Sequence, residues 1–188
     1  MQHRLRSFAA ALALAASATM AFATAAPAAE PSTAAKANHS AGVTLKPPKV
    51  IGDACTSGDG VTVVVDFRDL KNANGKKMNV VRVGCAEGAQ ASGLTALVAA
   101  GFDVDPAQPF VCTIDNRPID NPTCPPPDGF WSYSHGVRGH KKWQLSGVGA
   151  GDWVPPAGSL EGWSWAPYDK YEQWGTPRVS PKDLFPAA

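Results

Sequence analysis

No tryptophan occurs before residue 131 of this 188-residue chain; all six, Trp131, Trp143, Trp153, Trp163, Trp165 and Trp174, lie between 131 and 174. Also missing are the short signatures of common catalytic sites: there is no G-x-S-x-G, no H-E-x-x-H, no phosphate loop and no C-x-x-C. These absences remove the spacing rules behind hydrolase, zinc-protease, nucleotide and thioredoxin-like readings. Charge of one sign is lacking too. Without Arg4 and Arg6 the count is 15 basic to 16 acidic residues, and nucleic acid is not an expected partner. The one close basic group, Arg138 to Lys142, is short and interrupted by Gly139 and His140, as in a solvated turn.

What the first thirty residues do contain is the pattern of a leader. Arg4 and Arg6 precede a run of Ala, Leu, Phe and Met from Phe8 to Ala23, broken only by Ser17 and Thr19. This predicts a signal peptide over 1–29, Ala-rich in the bacterial manner, with small-residue cleavage sites near Ala25 and Ala28. Residues 30–49 have no aromatic side chain and read as a disordered tether, because they bury too little apolar area to offset ordering. Asn38-His39-Ser40 matches a glycosylation sequon. A single domain is expected over 50–179, with a C-terminal tail over 180–188, and part of the segment from Tyr168 to Ala188 is expected to fold back onto the domain. No membrane insertion is expected after the leader is removed, and secretion is the expected location.

Exported cysteines in even number favour disulfides over metal or catalysis. Cys55, Cys85, Cys112 and Cys124 allow three pairings. A hairpin would bring Cys55 to Cys85, and Cys112 and Cys124 flank one polar loop, so Cys55–Cys85 and Cys112–Cys124 are the favoured pairs. Each should stabilise by about 2–4 kcal/mol.

Val61 to Phe67 is β-branched, Met78 to Val83 is apolar, and Asn74-Gly75 between them is a turn signal: a β-hairpin. Ser92 can cap a short helix with Leu94, Leu97 and Val98 on one face, and Gly101 can end it. Strands are expected at 110–114, 129–134, 142–146 and 162–165. The order predicts an α+β fold, a small, mostly antiparallel sheet with one short crossing helix, β-grasp-like and disulfide-stabilised.

Four segments carry a family likeness: Val61 to Phe67, Ser92 to Gly101, Gly129 to Tyr133, and Pro155 to Trp165. Over roughly residues 58–166 the chain resembles the C-terminal domain of transcobalamin and intrinsic factor, of the type found alone in secreted bacterial proteins. The resemblance implies ligand binding without catalysis, through an aromatic patch formed by Trp131, Tyr133, Trp143, Trp163 and Trp165. Its implied partner is a small molecule, corrinoid-like or another nutrient, handed on to a membrane transporter or surface protein. The half-site that a larger helical domain supplies in that family is absent from this chain. Period two puts Trp131 and Tyr133 on one sheet face and pairs Trp163 with Trp165, so one pair can serve the core and the other the surface.

His135 and His140 bracket the turn Gly136 to Gly139, and one of them is expected to touch ligand at the rim. Two histidines without an acidic or thiolate neighbour make a poor metal site, and neither metal nor cofactor is expected. Asp66, Asp103, Asp105 and Asp128 show no spacing for acid–base work, and Ser134-His135 none for a nucleophilic triad, so an enzyme is not expected. Two other readings use the same tryptophans: a carbohydrate or cell-wall binding module, and a structural or protein-interaction envelope protein.

Overall fold

The computed structural model describes residues 46–107, 110–119, 121 and 123–185. The predicted leader, Asn38 and the tether up to residue 45 lie outside these residues. The tether's predicted end is corrected: Lys49 already belongs to a strand, β1 (Lys49–Ile51).

The run VTVVVD forms β2 (Val61–Asp66), buried at all six positions. A continuous apolar run of this kind suits a strand covered on both faces. It turns back into β3 (Val80–Ala86). Asn72 Oδ1 accepts from the N–H groups of Asn74 and Lys76 at 2.9 and 3.1 Å, and Gly75 supplies the positive φ of +72°. The hairpin is as expected, but its sheet portion stops earlier. Arg68 and Asn79, both with positive φ, turn the chain where it leaves the sheet.

Helix α1 (Gly93–Ala99) starts at the expected cap: Ser92 Oγ accepts from Thr95 N–H at 3.1 Å, and Ser92 N–H donates to the Thr95 hydroxyl at 2.9 Å. The expected apolar face needs correction. Gly93, Ala96 and Leu97 are buried, whereas Val98 is 56% exposed. Small residues face the sheet because the helix lies close to it; a Cβ on Gly93 would collide with the Tyr133 hydroxyl.

There follow β4 (Val104–Ala107) and β5 (Phe110–Ile114), a separate two-stranded sheet. Next come β6 (Gly129–Gly136), β7 (Gln144–Leu145), β8 (Leu160–Pro167), a 3-10 turn (Tyr168–Lys170) and α2 (Tyr171–Trp174). The main sheet runs β1-β3-β2-β8-β6-β7. The last strand lies between the first hairpin and β6, parallel to β2, which is the β-grasp-like arrangement. The sheet is mixed, since β1/β3 and β2/β8 are parallel. Those pairs join strands far apart in sequence, such as Thr62 with Leu160, where no turn residue announces the pairing.

Both favoured disulfides are present, Cys55–Cys85 and Cys112–Cys124, with Cα atoms 4.8 and 5.2 Å apart. One sheet face carries Val61, Val63, Val65, Phe67, Trp131, Trp163 and Trp165 beneath Ala96, Leu97 and Phe102. The other presents Val64, Val81 and Val83, covered by Trp143, Val179 and Leu184. The tail therefore packs beyond the predicted boundary at 179, with Pro181 buried.

Asp66, without exposure, fastens the tail to this second face. Arg178 donates to it from Nε at 2.9 Å, from Nη2 at 2.7 Å and from its backbone N–H at 2.9 Å. Arg68 approaches the same carboxylate at 3.4 Å and donates to the Thr176 carbonyl at 2.6 Å. Burial pulls the Arg68 guanidinium below its ordinary pKa, and the Asp66 charge opposes that shift.

Candidate functional site

Antiparallel pairing of β6 with β8 sets Trp131 opposite Trp165, Tyr133 opposite Trp163 and His135 opposite Glu161. Period two then places all six on the helix-bearing face. Rings continue the row: Phe67 meets Trp131 edge-on at 5.5 Å, Tyr133 lies 4.7 Å from Trp163, and Trp153 stacks on His135 at 4.2 Å.

At one end of the row stands Glu161, with no exposure. Four donors converge on it: the Tyr133 hydroxyl at 2.5 Å, His135 Nδ1 at 3.0 Å, Trp153 Nε1 at 3.4 Å and the Ser159 hydroxyl at 3.3 Å. This array offsets the desolvation of a buried carboxylate. Burial, followed by the Glu161 charge, drives the Tyr133 pKa far above its ordinary value, so Tyr133 acts as a fixed donor. With its proton on Nδ1, His135 leaves Nε2 for another partner.

Glu161 and His135 line a cavity of about 360 Å³ with Trp153. Val137, Leu145 and Val148 stand on its rim, 57%, 40% and 51% exposed. A second cavity, of about 200 Å³, is lined by Trp131, Tyr133 and Trp163, and shares Ser146 and Val148 with the first. The intervening loop is anchored where the Ala150 and Trp153 carbonyls accept from the first N–H groups of α1, at 3.2 and 2.9 Å.

Of the expected site residues, the structure unites Trp131, Tyr133 and Trp163 at one cavity and places His135 at its neighbour. The expectation that one aromatic pair reaches the surface is corrected: Trp131, Trp163 and Trp165 are 5%, 2% and 4% exposed. Helix α1 and the Ser146–Trp153 loop cover this face, so Trp131, Trp163 and Trp165 join the interior and Tyr133 packs half-buried against them. Trp143 lies on the opposite face, in the slot left by Gly162, and donates from Nε1 to the Val179 carbonyl at 2.8 Å. His140 is exposed in the β6–β7 turn, where its backbone, not its ring, binds Val137 and Lys182. Among the described residues no three His, Cys, Asp or Glu side chains converge as a metal set.

Glu161, Trp153 and Ser159 were not anticipated. The signal for Glu161 was present: in a strand it shares a face with Trp163 and Trp165, so an acid on that face has to be buried with them. No family model, no curated protein and no solved structure matches this chain.

Proposed function

We propose that the chain is a secreted, non-enzymatic binding domain that holds a small molecule at the cavities flanking the Ser146–Trp153 loop. The observation that carries this reading is a fully buried carboxylate with four donors, lining a cavity whose rim exposes three aliphatic side chains. Small-molecule sites combine apolar walls with a few fixed polar groups in this way. Two disulfides accord with an oxidising compartment.

The likeness to transcobalamin C-terminal domains supports a corrinoid-like nutrient. A cavity of about 360 Å³ takes one edge or substituent of a macrocycle, with His135 Nε2 at the contact. The rest of such a ligand stays open to a transporter or surface protein. The test is titration of the mature protein with cobalamin and its corrinoid precursors, followed by tryptophan quenching with inner-filter correction and by calorimetry. Saturable binding at micromolar or tighter affinity is expected, weakened about tenfold by His135→Ala, as for loss of one hydrogen bond. Absence of binding, alongside retention on insoluble glycan or peptidoglycan, overturns the corrinoid class in favour of a carbohydrate module.

A second reading, a structural or interaction protein of the envelope, is favoured by the burial of Trp131, Trp163 and Trp165. Blue-shifted emission, insensitive to quenchers and unchanged by every ligand, is its signature.

A further inference from the structure

The basic group from Arg138 to Lys142, short in sequence, does not stand alone in the fold. The tail docks against it: Lys182 N–H donates to the His140 carbonyl at 2.8 Å, and Trp143 Nε1 to the Val179 carbonyl at 2.8 Å. Turn and tail together line a cavity of about 320 Å³.

Three of its lining residues are cations, Lys141, Lys142 and Arg178, and none is acidic. Both lysines are exposed, and among the described residues neither belongs to an ion pair. Arg178 is held in place. Its Nε and Nη2 donate to Asp66 and its Nη1 to Asn79, which leaves one N–H on each terminal nitrogen, and its side chain keeps 22% exposure. Asp66 pairs with Arg68 as well, so the cluster that fixes Arg178 carries an excess of positive charge. The acid on the same segment, Asp183, accepts from the Ser180 hydroxyl at 2.7 Å and does not line the cavity.

Cations gathered round one cavity repel one another, and an anion placed among them relieves that repulsion. The number of cations selects the anion. A dianion gains more from three of them than a monoanion does, and phosphate oxygens accept from several ammonium and guanidinium donors at once. Thr176 adds a hydroxyl to the lining, and Trp143 and Pro177 add apolar surface for any carbon attached to the phosphate. Ligand sites begin at about 300 Å³, so the volume suits a phosphate with a short organic group.

We propose that this cavity binds a phosphate dianion, free or as the monoester of a small molecule, gripped by Lys141, Lys142 and Arg178. Trp143 places it on the sheet face opposite Glu161, and the site stands or fails separately from the binding reading above.

The experiment uses the mature chain and four probes: inorganic phosphate, glycerol 3-phosphate, glycerol and acetate. Calorimetry should show saturable binding of both phosphates, acetate at least tenfold weaker and no binding of glycerol. An ester tighter than inorganic phosphate assigns the site to an organic phosphate resting on Trp143 and Pro177; equal affinity assigns it to the free ion. The double variant Lys141→Gln, Lys142→Gln changes only exposed side chains and should weaken both phosphates at least tenfold, as for loss of charge-assisted hydrogen bonds. Lys71→Gln, Lys76→Gln removes the same charge from exposed positions that do not line the cavity, and should leave affinity unchanged.

In the unmodified protein the Trp143 indole N–H resonance, assigned through Trp143→Phe, should move with glycerol 3-phosphate and stay in place with glycerol. Failure of both phosphates to saturate, acetate binding as tight as theirs, or an equal loss in the two double variants overturns the site. His135→Ala should leave phosphate binding intact, so loss of corrinoid binding in that variant bears only on the first reading.

Discussion

The two faces of the central sheet are closed by different physics. On one, helix α1 and the Ser146–Trp153 loop press apolar and aromatic side chains into a continuous core around Val63, Val65, Trp163 and Leu97. On the other, only Val64, Val81 and Val83 form an apolar patch, and the segment from Thr176 to Phe185 is held mainly by directed polar contacts: Asp66 with Arg178, Arg68 with the Thr176 carbonyl, Trp143 with the Val179 carbonyl. A helix can be docked by area alone, because its own backbone bonds are internal. An aperiodic segment has no such satisfaction and needs partners for its backbone groups from the surface it covers.

The contrast breaks first at Asp66. Asp66→Ala leaves Arg178 and Arg68 without their buried counter-charge and should cost about 3–5 kcal/mol in denaturant melts. Leu97→Ala, on the helix side, should cost about 2–5 kcal/mol through a cavity. The polar account of the tail fails if Asp66→Ala is mild while exposure of the tail to protease is unchanged.

Removing the Cys112–Cys124 bridge by a double Ser substitution should cost about 2–4 kcal/mol, read from the shift in melting temperature. The bridge joins β5 to the connection leading into β6, so the effect belongs to the helix-bearing side.

Tyr133 sharpens the same side through pH. Its folded pKa is raised, so between the unfolded value near 10 and the folded one the native state binds one more proton than the unfolded state. Stability should therefore fall as pH rises past about 10, by up to about 1.4 kcal/mol per unit from this group, and Tyr133→Phe should flatten that slope. An equal slope in the variant would detach the alkaline loss from Tyr133. The smallest effect is expected where the tail ends. Arg138 lies over the Phe185 ring at 3.8 Å, and Arg138→Ala should cost about 0.5–1 kcal/mol.

Elements with short-range signals were legible. The β2–β3 hairpin follows from β-branched residues on either side of Asn72 to Gly75, and α1 from Ser92, whose capping partner is three residues away. Cysteine placement at the hairpin, and on either side of one polar loop, sufficed for both bridges. Less was legible where burial depends on what lies opposite. Val98 belongs to the helical apolar pattern yet faces solvent, since the approach of the sheet to Gly93 rotated the buried face towards Ala96. The tryptophan cluster suggested an exposed platform; three of its members became core when α1 covered them.

Composition and local pattern by themselves determined the α+β class, the hairpin, the capped helix, the favoured pairing of cysteines and which neighbouring strand aromatics share a face, because those depend on residues a few positions apart or on the period of a strand. Only the tertiary structure decided the parallel entry of β8 beside β2, the closure of the second face by Asp66 and Arg178, and the convergence of Tyr133, His135, Trp153 and Ser159 on Glu161. Each of these joins groups from separate segments. Their free energy comes from mutual desolvation and pairing, which exist only once the chain has brought them together.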